Sequence, residues 1–361
     1  MALESPALAD ALIAWSAGHL ASREACYRPT ALAARSKSLQ SLVLSLSSCD
    51  AAKSEINAAT SLILMTSEVC LGFHTNWYRH LTGVKDIIMS AHLPESTGDS
   101  VLRGPDALKR TTEGQWILRN FAYHDIIGSV TLGTKPLIQS QYLQGITDVV
   151  DTYLGVGSGI LSFISDISCL QELDFVHGFT AYNDQDEAFS NPLKLIEQGL
   201  QSWRCSSDTS QALASLAYAY RSSALIYLYR RMIRALGEQA GDAAYQSHDL
   251  VSELHLKMQT EVFAICWHVE NIVLSEIVES ALLFPLFMAG CETTDNSQMN
   301  LICLRLELML AKRHFQNIEQ ALEILHEIWE QRKAAQANWS NYHQIDWQEI
   351  VNTPDMVLLL T

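Results

Sequence analysis

The stretch Leu213-Ala214-Ser215-Leu216-Ala217-Tyr218-Ala219-Tyr220-Arg221-Ser222-Ser223-Ala224-Leu225-Ile226-Tyr227-Leu228 decides the fold class. Leu213, Leu216, Ala217, Tyr220, Ala224, Tyr227 and Leu228 recur at steps of three, one and four, the period of a helix face. A second stripe repeats the pattern: Phe315, Ile318, Ala321, Leu322, Leu325, Ile328 and Trp329, with Glu319, Glu323, Glu327 and Glu330 on other faces. Only 8 prolines interrupt the chain, and no Asn-Gly or Asp-Gly turn joins alternating β-branched runs, so hairpins are not expected. Helices are expected near 6–22, 32–48, 50–72, 76–91, 113–130, 140–155, 158–172, 191–203, 208–236, 246–283, 296–312, 314–334 and 346–352. Pro285 should break or kink the helix ending near Leu283. The expectation is a single all-α domain over 1–361, about a dozen helices around a central apolar cavity.

The 361 residues hold 24 Lys+Arg against 40 Asp+Glu, a net charge of −16. A module that grips phosphate backbones needs clustered cations, and the longest basic run is Arg230–Arg231 with Arg234. Nucleic acid is therefore not an expected partner. Hydrophobic residues at 48% against 18% charged describe a core-forming chain. Apolar runs such as 281–289 fall well short of the ~20 residues that span a bilayer. The opening residues lack a signal-peptide pattern, so a soluble, cytoplasmic protein is expected. Eight cysteines lie at 26, 49, 70, 169, 205, 266, 291 and 303, with no CxxC spacing. Free, mostly buried thiols fit a reducing compartment better than zinc or disulfides.

Four stretches carry a family resemblance. They are Asn76-Trp77-Tyr78-Arg79-His80-Leu81-Thr82-Gly83, Trp116-Ile117-Leu118-Arg119-Asn120-Phe121-Ala122-Tyr123-His124-Asp125, Tyr220 through Arg231, and Leu283-Phe284-Pro285-Leu286-Phe287-Met288-Ala289-Gly290-Cys291-Glu292. Together they resemble the fungal-specific transcription factor domain, the all-helical regulatory region of fungal zinc-cluster regulators. The six-cysteine zinc cluster and basic linker of those regulators have no counterpart among these residues. The chain also resembles a small group of fungal class I sesquiterpene cyclases, the humulene-forming enzymes of tropolone-sesquiterpenoid pathways, which are themselves similar to the regulators.

The cyclase resemblance implies Mg²⁺ chemistry on an isoprenoid diphosphate. Mg²⁺ takes hard oxygen ligands in octahedral geometry. Asn271, Ser275 and Glu279 stand at i, i+4 and i+8 within the expected helix 246–283. Eight positions at about 100° each return to nearly the same sector, so all three should share one face. Asp125 would supply the opposing carboxylate; no DDxxD motif accompanies it. Arg221 would hold the released diphosphate through its planar fork of N–H groups. Phe121, Tyr123, Trp267 and Leu282 would wall the cavity, the rings offering π faces to carbocations. Arg230 and Arg231, about two and a half turns beyond Arg221, are further cations. Other readings of these residues are a structural carboxylate at Asp125, a solvent strip at Asn271 and Ser275 with Glu279 in a surface ion pair, and helix-surface or inter-helix salt bridges at Arg221, Arg230 and Arg231. No GxxxxGK[ST], GxGxxG or GxSxG motif is present.

The expected function is therefore a Mg²⁺-dependent cyclase. It would ionise farnesyl diphosphate by stabilising the leaving group and excluding water from the cation, giving a medium-ring hydrocarbon such as humulene. The rival is an effector- or partner-binding regulatory domain of a fungal zinc-cluster transcription factor, with a homodimer open to either. On the cyclase reading Asp125 and Glu279 line one pocket, and the near-isosteric changes Asp125→Asn and Glu279→Gln leave the thermal midpoint nearly unmoved. Leu282→Met would redistribute hydrocarbon products.

Overall fold

A computed structural model describes residues 5–46, 51–71, 77–94, 101–151, 153–171, 174–175, 179, 191–238, 244–273, 277–337, 346–351 and 358–361. Its helices, in chain order, are α1 (Pro6–Ala21), α2 (Arg28–Ser45), α3 (Ala51–Leu71), α4 (Trp77–Ser90), α5 (Pro105–Leu108), α6 (Thr112–Leu132), α7 (Ile160–Cys169), α8 (Pro192–Ser202), α9 (Gln211–Glu238), α10 (Ala244–Glu270), α11 (Leu283–Glu292), α12 (Asn296–Arg313), α13 (Gln316–Ala337) and α14 (Trp347–Val351). The all-α expectation holds: this is a single helical domain. A short hairpin does occur, β1 (His92–Pro94) against β2 (Val101–Arg103). It is anchored where Gly104 N–H donates to Ala91 O at 2.8 Å, in a loop too short for periodicity to reveal.

Two helices form the centre. α6 is buried on nearly every side from Ile117 to Thr131, with Arg119 the main departure, and all ten residues of α11 are buried. A helix apolar all round belongs inside a protein. Around them α1 packs on α2 and α3, α3 on α4, and α9 on α10. Leu358, Leu359 and Leu360 return to the core. Asn317 Nδ2 donates to Thr361 O at 2.8 Å, and the Thr361 hydroxyl lies 2.8 Å from His124 Nδ1.

The start of α6 is set by one side chain and one absence. Thr111 Oγ1 accepts the Gly114 N–H at 2.9 Å while its hydroxyl donates to Glu55 on α3. A Cβ at Gly114 would stand 2.0 Å from the Leu108 carbonyl oxygen, backbone that cannot swing aside. Gly114→Ala should therefore cost about 2–3 kcal/mol. A urea midpoint unchanged from wild type would show that α5 and α6 separate freely at this turn.

Several expectations need correcting. The helix expected over 246–283 ends at Glu270. Asn271 Nδ2 turns back to Trp267 O at 2.7 Å, and Arg305 donates to Val269 O at 2.9 Å and Ile272 O at 3.2 Å, so those carbonyls are engaged from outside the helix. A 3₁₀ turn covers Ile277–Leu282. Pro285 does not end a helix; it stands in the first turn of α11, where its missing N–H has no helical partner to lose. The helix expected over 140–155 is reduced to a 3₁₀ turn at Ser140–Leu143. Beyond it Arg119 pulls the chain into turns, donating to Ile146 O at 3.1 Å and Asp151 Oδ2 at 3.0 Å. The seven described cysteines are free, but only Cys70, Cys266 and Cys291 are buried; Cys49 lies outside the described residues. Among the described residues no helix is long and apolar enough to cross a membrane.

Candidate functional site

Asp125 lies near the middle of α6 and is 3% exposed. Its Oδ1 accepts the Leu137 N–H at 2.8 Å and its Oδ2 the Ile138 N–H at 3.1 Å. Both oxygens are therefore engaged in fixing the chain that leaves α6. Burial pushes the carboxyl up to about 6, outweighing the two amides, which pull it down. Glu279 is equally buried and receives Lys312 Nζ at 2.9 Å. Asn271 sits just past the end of α10, its Oδ1 accepting Gln211 Nε2 at 3.2 Å. Ser275 lies outside the described residues. With α10 ending at Glu270, Asn271 and Glu279 do not share a helix face, which corrects the geometry expected for this set. Among the described residues no group of three or more His, Cys, Asp or Glu is placed to hold a metal ion.

The cavity-wall residues divide. Phe121, Tyr123 and Leu282 are in the core. Tyr123 OH lies 3.2 Å from Tyr220 OH, which donates to Ala281 O at 2.9 Å, and the Tyr220 ring stacks on Phe284 at 5.6 Å. Phe121, Tyr123, Tyr220, Leu282 and Phe284 are all buried here. Tyr220 thus links Tyr123 to Ala281, the residue before Leu282, while Trp267 is 53% exposed on the outside of α10. The Arg221 guanidinium lies 5.0 Å from the centroid of the Tyr218 ring, and its charge acts on Glu261 and His268. Burial and Arg221 together push His268 down to about 4.

The best-built polar cluster gathers around Arg230, for which the sequence suggested a helix-surface or inter-helix salt bridge without giving its partners. Arg230 on α9 donates to Glu292 at the end of α11 and to Asp346 ahead of α14, with its guanidinium 5.1 Å from the centroid of the Trp347 ring. Arg231 donates to the Ile167 and Leu170 carbonyls at the end of α7. Arg230 and Glu292 belong to two of the four stretches that carry the family resemblance. The other two are also structural: Trp77 packs on Gly128, where a Cβ would meet the ring at 3.3 Å, and Asp125 and Arg119 fix the turns after α6. The signal that could have found the cluster was an Arg and a Glu inside otherwise apolar runs, since buried charges are paired.

These four stretches lie within a longer match. A family model described as the fungal specific transcription factor domain covers residues 1–361. The chain belongs to this family. No curated protein and no solved structure matches it.

Among the described residues of this member of the transcription factor domain family, clefts large enough to take part in binding include the following. One of about 700 Å³ opens between α1, α2 and α3 and the α12–α13 junction, with Arg28, Arg35, His314 and Glu319 on its walls. Arg35 there is paired with the buried Glu68, which His80 also approaches at 3.2 Å. A second, of about 250 Å³, lies over the Arg230 cluster, and a third, of about 350 Å³, runs between α10 and α12.

Proposed function

We propose that this chain is the regulatory domain of a fungal transcription-factor-type protein, built to bind a small effector or a partner protein. The observation that carries this reading is the family match over residues 1–361. The geometry supports it, because polar residues of the signature stretches tie the helices into one framework. The cleft between α1, α2 and α3 has the volume of a small-molecule site, for which ~300–1,000 Å³ is usual. Fold likeness alone does not choose a chemistry, so the cyclase reading is put to the same experiment. The purified chain is incubated with farnesyl diphosphate and Mg²⁺ and the headspace is analysed for hydrocarbons. The regulatory reading expects none above a boiled control. A humulene-type hydrocarbon that disappears on chelating Mg²⁺ would replace it with the cyclase reading.

A further inference from the structure

The face of α10 turned away from the core carries Leu256, Phe263 and Trp267 at spacings of seven and four, one line along the helix. They are 71%, 64% and 53% exposed. On α12, Leu304 and Leu308 continue a parallel exposed row beyond Leu301. The two helices lie side by side: Gln259 Nε2 donates to Glu292 O at 2.8 Å just ahead of α12, and Arg305 reaches back to the end of α10. Between the rows runs the 350 Å³ groove, floored by Cys266 and Leu301, with Glu270 and Asp295 on its walls. Large apolar side chains gathered on a surface and rimmed by polar groups mark an interaction site.

We propose that this groove docks a basic amphipathic helix of a partner protein, a reading that rests on the regulatory function proposed above. A trough between two helices receives a third, whose apolar side chains at i, i+3 or i+4 and i+7 fill it. The charge of the rim selects the sign of the partner. Glu270 and Asp295 line the groove, Glu307 is exposed nearby on α12, and no Lys or Arg is among the lining residues. No described side chain pairs with Glu270. Asp295 uses Oδ1 to cap α12, accepting the Ser297 and Gln298 N–H groups. The Arg305 guanidinium is engaged by the Val269 and Ile272 carbonyls. His268, packed edge-on against Trp267 with ring centroids 4.8 Å apart, is neutral near pH 7 and adds no cation. Lys or Arg on the flanks of the incoming helix would meet the carboxylates, and cations crossing the Phe263 and Trp267 rings gain from their π faces. A second copy of this chain fits less well, since it would bring the same acidic rim and a net charge of −16 against itself.

The probe is a fluorescein-labelled 18-residue Leu/Lys amphipathic helix, read by polarisation, with a Leu/Glu helix of the same apolar face as its counterpart. The Leu/Lys helix is expected to bind at least tenfold more tightly than the Leu/Glu helix. Phe263→Ser/Trp267→Ser, changed at two exposed positions, should leave the circular dichroism spectrum intact and weaken binding at least tenfold. Glu270→Lys should weaken it severalfold and flatten its salt dependence. No binding, equal binding of the two helices, or undiminished binding to the double variant would overturn the proposal. So would a dimer in sedimentation that the double variant abolishes, which would make a second copy the occupant. Hydrocarbon formation in the cyclase assay would remove the regulatory reading while leaving the peptide result to stand or fall separately.

Discussion

Arg230→Met is expected to lower the unfolding free energy by about 3–5 kcal/mol, the usual cost of removing one partner from a buried ion pair. Arg230 bridges α9 to the end of α11 and to the approach to α14, and Glu292 is buried. Without the guanidinium, the buried Glu292 carboxylate loses its direct ion-pair partner. Asp346 is less affected, because Arg234 stands 3.4 Å from it. Methionine keeps most of the side-chain volume, so the loss reports on charge and not on a cavity. A whole domain is commonly stable by only ~5–15 kcal/mol, so the variant should unfold at a visibly lower urea concentration. Adding Glu292→Gln should recover part of the loss, because the double variant no longer buries an unpaired charge. A single-variant loss under about 1 kcal/mol, with no coupling in the double-mutant cycle, would mean that water screens the network.

Asp125 carries the second large effect. Asp125→Ala should cost about 3 kcal/mol, since the Leu137 and Ile138 N–H groups both lose their acceptor. Asp125→Asn does not preserve the site, contrary to what its shape suggests. The amide has one acceptor oxygen, and its NH₂ must face the other backbone N–H, so about 1–2 kcal/mol should be lost. The pH dependence follows from the raised pKa. The ordinary carboxyl value of 3.8 applies to the unfolded chain, and the folded value is about 6. The folded chain therefore holds this proton more tightly, and the stability it contributes is fully present below pH 4. It is lost as the pH rises through 6, and the change amounts to about 2–3 kcal/mol. Asn has no such titration, so wild type should exceed the Asn variant by most at the acid end of the pH 4–6 window. Urea midpoints of both proteins across that window check this. A difference that stays constant with pH would place the Asp125 titration outside it.

Long helices could be read from sequence even where they are buried: α6, expected over 113–130, runs Thr112–Leu132 although it is buried nearly all round. α9 and α13 also form close to where the period puts them. α11 was not legible as a helix, because a decamer with a proline in its first turn is too short for the period to act on. The 140–155 segment looked helical until Arg119, from another element, took its carbonyl and carboxylate oxygens into turns.

The same division governs the site. Asn271, Ser275 and Glu279 form a triad only if one helix runs through all three, and the end of α10 depends on Arg305, far along the chain and unseen by local spacing. Glu279 could be recognised as a carboxylate among aliphatics, but its Lys312 partner comes from α12. The stretches around Trp77, Asp125, Arg230 and Glu292 are recognisable in the sequence because each places a polar or aromatic group among apolar neighbours. By itself, then, the sequence determined the all-α class and the family, since periodicity and those stretches are local properties of the chain. What each polar residue touches was decided by tertiary structure alone. Burying a charge is tolerable only beside a partner, and here the partners come from helices remote in sequence, which bind Asp125, Glu279 and Arg230 into the framework and leave Phe263 and Trp267 on the surface.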